Sequence, residues 1–128
     1  MKYVYVTRRA RFNAAHKLWN DDWSEERNLE TFGKCANPNW HGHNYELHVT
    51  IKGVPAEETG YCMDLKDLRD IIKEEVEVPL DHRNLNMDVP WMQGKLTSTE
   101  NLIIAIWERL EARINASGCI LHHIRLYE

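Results

Sequence analysis

The chain of 128 residues is 43% hydrophobic and 28% charged, a balance that supports one packed core and excludes a disordered segment. Its formal net charge of −4 speaks against a general nucleic-acid or anionic-membrane binder, and no apolar run approaches the roughly 18 to 20 residues of a membrane span. Cys35, Cys62 and Cys119 are odd in number, far apart and without a CxxC pair, which fits a reduced, cytoplasmic compartment better than a disulfide scaffold.

The opening MKYVYVTRRARF alternates and turns basic, unlike the apolar core of a secretory leader. Residues Lys2 to Ala15 therefore read as a long strand. Asn20 to Ser24 is a polar break, and Ser24 to Thr31 reads as a short helix with Ser24 as its N-cap. Gly33 to Gly42, with its Gly, Asn and Pro residues, is a loop. From His43 to Lys52 the alternation is the clearest in the chain, with Tyr45, Leu47, Val49 and Ile51 on one face and Glu46, His48, Thr50 and Lys52 on the other.

After a turn through Pro55 to Gly60, Tyr61 to Met63 reads as a short strand. Asp64 then opens a helix with Leu65, Leu68, Ile72 and Val76 at helical spacing, ended by Pro79, and Asp81 to Pro90 is a loop. A second helix from about Ser98 to Ile114 buries Leu102, Ile103, Ile106, Trp107, Leu110 and Ile114, with Thr97 and Glu100 at capping-box spacing and Gly118 as its stop. Ile120 to Tyr127 is the last strand. With no linker or repeat, residues 1–128 form one α+β domain: an antiparallel sheet with two long helices packed on one face. Open edges on so small a sheet predict an oligomer that extends it.

His41-Gly42-His43 places two imidazoles on one face of an extended segment, and an antiparallel neighbour would bring His16 alongside. Three neutral imidazoles with a free fourth position make a catalytic zinc site; the plainer alternative is a polar strand edge. Cys35, in the loop before His41, is either a base or nucleophile near a metal or a small buried hydrophobe, and Cys62 and Cys119 read as the latter. Asp81-His82 forms either a carboxylate–imidazole relay or a turn with an exposed histidine, the second being commoner for adjacent residues. Thr97 to Asn101 is accounted for by helix capping, while free N–H groups at such a helix start also hold polar ligand atoms. Glu128, on its own, is a terminal acid.

Together these segments resemble a known family. FNAAH (Phe12 to His16), GKCANPNWHGHNY (Gly33 to Tyr45), PLDHRNLN (Pro79 to Asn86), STENL (Ser98 to Leu102) and LYE (Leu126 to Glu128) look like the signature segments of the 6-pyruvoyl-tetrahydropterin synthase family, in its order and across nearly the whole chain. The resemblance implies the tunnelling fold, assembled as a homohexamer of two trimers with active sites at subunit interfaces. It implies elimination of triphosphate from 7,8-dihydroneopterin triphosphate with Zn2+ and no redox cofactor; Mg2+ accompanies the triphosphate.

Carried over by position, His16, His41 and His43 match the zinc ligands and Cys35 the general base. Asp81 and His82 match its relay partners, supplied by a neighbouring subunit. Glu128 matches the acid that anchors the pterin, and Ser98, Thr99 and Glu100 match the pterin pocket. Arg8, Arg9, Arg11 and Lys34 are triphosphate candidates on charge alone. A second branch of the family, 6-carboxytetrahydropterin synthase of queuosine biosynthesis, usually spaces its cysteine CxxxHGH; five residues separate Cys35 from His41 here, as in the biopterin branch. Both branches remain readings of the sequence, beside a noncatalytic zinc or pterin-binding module. Members of the family run on for several residues past the acid at which this chain ends.

Overall fold

The computed structural model describes residues 2–128. Its spine is a pair of 13-residue strands, β1 (Val4–His16) and β2 (His41–Gly53). They pair antiparallel without a break, from Val4 opposite Gly53 to His16 opposite His41. A third strand, β3 (Arg83–Asn84), lies parallel to β1 beside Ala14 and Ala15. The fourth, β4 (Ile120–Tyr127), runs antiparallel to β2, so the sheet order is β3-β1-β2-β4.

Alternation decides which face is covered. Ala10, Phe12 and Ala14 of β1 and Tyr45, Leu47, Val49 and Ile51 of β2 are buried on one side. The other side is polar: the Thr7 and Thr50 hydroxyls meet at 2.7 Å, and the Glu46 carboxylate takes Arg11 Nε at 3.1 Å and His48 Nε2 at 2.8 Å. The apolar face is covered by helices, among them α2 (Leu65–Ile72), which runs through a π-helical stretch (Lys73–Glu77) into α3 (Val78–Leu80), and α4 (Thr99–Asn115). Leu68, Ile72, Val76 and Leu80 meet Leu102, Ile106, Leu110 and Ile114 in the core. A short helix, α1 (Glu25–Phe32), is capped by Ser24, whose hydroxyl accepts the Arg27 N–H at 3.1 Å.

Four local expectations change. Tyr61 to Met63 is not a strand but a bend leading to Asp64, the N-cap of α2. The stretch read as a loop after Asp81 contains β3, too short for any periodicity to register. Pro79 does not end its helix. A proline removes the bond to the carbonyl four residues back; that carbonyl, on Glu75, instead accepts Arg109 Nε at 3.3 Å, and the widened π turn carries the chain on to Leu80. The cap of α4 is Ser98, whose hydroxyl accepts the Asn101 N–H at 3.2 Å, so Thr97 lies outside the helix and is buried.

Gly53 ends β2 where Cys62 and Cys119 converge, with Cys119 Sγ donating to the Cys62 carbonyl at 2.9 Å. A Cβ on residue 53 would lie 2.8 Å from Cys62 Cβ and 3.0 Å from Cys119 Sγ. Overpacking of this kind costs about 1 to 3 kcal/mol. Gly53→Ala is therefore expected to lower the unfolding free energy by that amount, seen as a lower urea midpoint at an unchanged slope, whereas an unchanged midpoint would show that the two cysteines yield freely.

Candidate metal centre

The register brings three histidines to one spot. His16 is the direct cross-strand partner of His41, and His43 sits opposite Ala14, on the same face of the pair. The methyl of Ala14 leaves that space to the His43 ring. Ring centroids are 4.6 Å apart for His16–His41, 4.7 Å for His41–His43 and 5.0 Å for His16–His43. One ligand atom from each lies within 4.8 Å of the others.

The protonation pattern follows from the partners. His16, 2% exposed, has Nδ1 2.6 Å from the Thr97 carbonyl oxygen. A carbonyl only accepts, so Nδ1 carries the hydrogen and Nε2 holds a free lone pair. That Nε2, His41 Nδ1 and His43 Nε2 are all buried and without a hydrogen bond. Burial, then the neighbouring His16 ring, push the His41 imidazole below its usual pKa against the opposing pull of Glu128, which favours the uncharged form that a metal ligand needs. Three buried ring nitrogens without a hydrogen bond, facing one another, would each be satisfied by one divalent ion, and the donor set fits zinc.

Glu128 closes this site. Its Oε1 lies 3.1 Å from His43 Nε2, in ion-pair range but off the line of a hydrogen bond, and its carboxylate accepts from the Thr99 hydroxyl. Of the neighbouring positions, Ser98 is engaged as the cap and Glu100 is exposed in the first turn of α4. Cys35 is half-buried in a tight helical turn (Gly33–Ala36). Its carbonyl accepts the Leu18 N–H at 2.8 Å, tying that turn to the chain just beyond His16.

Asp81 and His82 do contact each other, despite being adjacent. His82 takes a left-handed backbone (φ 59°), and its Nδ1 lies 2.9 Å from Asp81 Oδ2. Asp81 Oδ1 accepts the Asn13 N–H at 2.9 Å, and the His82 N–H donates to the Asn13 carbonyl at 2.7 Å. The Asn13 amide, followed by the His82 ring, holds the Asp81 carboxyl below the usual range. This pair sits on the outer edge of β1, with the His82 side chain 76% exposed. Among the described residues, no hydrogen bond or ion pair joins it to Cys35 or to the three histidines. A hollow of about 570 Å³ lined by Asn13, Gly42, His43, His82 and Asp88 lies along this edge. Of the basic candidates, Arg11 is committed to Glu46.

Alternation puts Tyr45 in the apolar face, and it is buried there against Phe12, with ring centroids 5.0 Å apart. Its hydroxyl, however, is buried without a partner, and burial together with the Glu128 charge raises its pKa strongly. The spacing of His41, His43 and Tyr45 along one strand face was the available signal.

Residues 5–128 match the family described as 6-pyruvoyl tetrahydropterin synthase. The chain belongs to this family. The human 6-pyruvoyl tetrahydrobiopterin synthase is 42% identical over 123 residues, covering 96% of this chain and 83% of the relative. That of Dictyostelium discoideum is 48% identical over 107 residues, covering 84% and 78%. The solved structure of the Caenorhabditis elegans 6-pyruvoyl tetrahydropterin synthase superposes with a TM-score of 0.85 at 32% identity, covering 100% of this chain and 96% of that one. The α+β tunnelling fold, with helices on one face of the sheet, is thus that of the 6-pyruvoyl tetrahydropterin synthase family. No helix among the described residues is long and apolar enough to cross a membrane.

Purified without chelator, the protein is expected to carry about one zinc per chain by elemental analysis, and His16→Ala and His43→Ala to lose it. Zinc-free wild type would refute the site. The Asp81 contact has its own signature. A depressed carboxyl pKa stabilises the fold above the unfolded value and loses that contribution as pH falls through the folded value. Asp81→Asn should flatten the dependence of the urea midpoint on pH below about 4, the ordinary aspartate range; an unchanged slope there would count against the Asn13 contact.

Proposed function

We propose that the protein is a zinc-dependent carbon–oxygen lyase that converts 7,8-dihydroneopterin triphosphate to 6-pyruvoyl-tetrahydropterin with elimination of triphosphate. The observation that carries this reading is the convergence of three unpartnered imidazole nitrogens next to Glu128 and Thr99. Family membership and the synthase names of the human and Dictyostelium relatives support it. Zinc held by His16, His41 and His43 would polarise a side-chain oxygen of the substrate and acidify the adjacent C–H bonds.

The remaining roles fall to the chain itself. Glu128 would accept N–H groups from the guanidine-like edge of the pterin, a bidentate charge-assisted contact, with the Thr99 hydroxyl holding the carboxylate in place. Ser98 and Glu100 would border the same pocket. Cys35, as thiolate, would take a proton from the substrate side chain. Asp81, kept ionised by the Asn13 N–H, would orient His82 through Nδ1 and leave Nε2 to face the cysteine of a neighbouring copy. Loss of the side-chain proton and departure of triphosphate account for the atoms, and Mg2+ would offset the charge of the departing triphosphate. The side chain is oxidised as the dihydropterin ring is reduced, so no external redox cofactor enters.

That arrangement needs assembled copies, and the polar, uncovered sheet face with exposed Tyr5 and Tyr127 supports a hexamer built by joining sheets. Incubation with dihydroneopterin triphosphate, zinc and magnesium should give a product with the mass of 6-pyruvoyl-tetrahydropterin. Cys35→Ala should keep its zinc and form product at least about 100-fold more slowly. A carboxytetrahydropterin product with acetaldehyde would move the protein to the queuosine branch, and bound zinc without turnover would make it a binding module.

A further inference from the structure

Thr97 and Asn86 do something that neither helix capping nor the pterin pocket requires. Thr97 is 1% exposed, lies just before the cap of α4, and offers its carbonyl to His16 Nδ1. Its hydroxyl lies 3.2 Å from the Lys17 carbonyl and 3.3 Å from Asn86 Oδ1. The Asn86 amide in turn holds both main-chain groups of Lys17: Oδ1 accepts the Lys17 N–H at 2.9 Å, and Nδ2 donates to the Lys17 carbonyl at 3.1 Å.

The amide thus acts as one more rung of a neighbouring strand, added where β3 has already ended and β1 has just passed His16. Asn86 is itself fixed, since its N–H donates to Asn84 Oδ1 at 2.9 Å and its carbonyl accepts Gln93 Nε2 at 3.0 Å. The Leu85 N–H donates to the Ala15 carbonyl at 2.8 Å, which locks the segment to β1 on the other side of His16.

We propose that Asn86, acting through Lys17 and Thr97, is a positioning residue that sets the plane and tautomer of the His16 ring. The inference rests on the reading of the three histidines as a metal site. Two fixings meet on one imidazole: the strand end carrying it is clamped by Asn86, and the carbonyl that orients Nδ1 belongs to a residue whose hydroxyl touches the same clamp. His43 lies two rungs inside the β1–β2 ladder. His16 and His41 form its last rung, where the pairing ends, and on the His16 side the Asn86 amide continues it. Outer partners of metal-bound histidines commonly change metal affinity by 10- to 100-fold.

The test is zinc affinity of the apo-protein, measured by competition with a chromophoric chelator at fixed pH, beside the visible absorption of the cobalt(II) form. Asn86→Ala should weaken zinc binding by about 10- to 100-fold and shift the cobalt bands, with circular dichroism unchanged. Thr97→Val keeps the carbonyl and loses only the hydroxyl; it should move both readouts in the same direction by less. Ile106→Val, which trims the core away from the site, should leave both at wild-type values and so separate positioning from general destabilisation. Wild-type affinity and wild-type cobalt bands in Asn86→Ala, or in Thr97→Val where the first variant does not fold, would overturn the proposal. A wild-type protein that binds no zinc would remove the metal site and this inference with it.

Discussion

The register between β1 and β2 is the constraint on which the site depends. His16 faces His41, Ala14 faces His43, and Phe12 faces Tyr45 in an unbroken ladder. Because the side-chain period of a strand is two, a slip of one residue would send the whole set to the opposite face. It would also expose Phe12, Leu47, Val49 and Ile51, all buried here under the helices. The core therefore fixes the register, and the register assembles the three imidazoles as a by-product of hydrophobic burial.

That coupling has a cost. Placing histidines at the end of an apolar face leaves three buried ring nitrogens without hydrogen bonds, and an unsatisfied buried polar atom costs about 1 to 3 kcal/mol. A divalent ion would remove the penalty at all three positions at once. The Tyr45 hydroxyl extends the same line of unsatisfied atoms toward Glu128. The helix start contributes differently. Ser98 takes over the capping of α4, which frees the Thr97 carbonyl for His16 and the Thr99 hydroxyl for Glu128.

Elements with a long period were legible in the sequence. The alternation of β2 and β4 and the apolar stripe of α4 gave their ends to within a residue or two. Features that depend on distant partners were not. Nothing local marks Arg83–Asn84 as a strand, because its pairing is with Ala14 and Ala15. Nothing local lets a helix run past Pro79, because the freed carbonyl is answered by Arg109 from another helix. At the site, the HxH spacing announced two ligands, while the third depended on register. The Asp81–His82 contact depended on a left-handed backbone that a histidine seldom adopts. The sequence offered Thr97 as a capping residue and Asn86 as the end of the PLDHRNLN segment, and only their hydrogen bonds tie both to His16.

Asp81 and His82 stand apart from the three histidines. The Asn13 main chain, through both its N–H and its carbonyl, turns this pair outward on the edge of β1, whereas the three histidines point to the helix side of the sheet. Among the described residues, no strand lies beside that edge from Val4 to Asn13, beyond the two residues covered by β3. A free edge with polar cross-strand pairs on its open face, such as Arg11–Glu46–His48, is a surface that gains hydrogen bonds when a second sheet edge joins it. The same junction would set one copy's carboxylate–imidazole pair against whatever its neighbour presents there. A lone chain brings the three histidines together with the acid beside them, while its carboxylate–imidazole pair faces outward on the edge of β1, so the two groups of side chains occupy separate surfaces of the protomer.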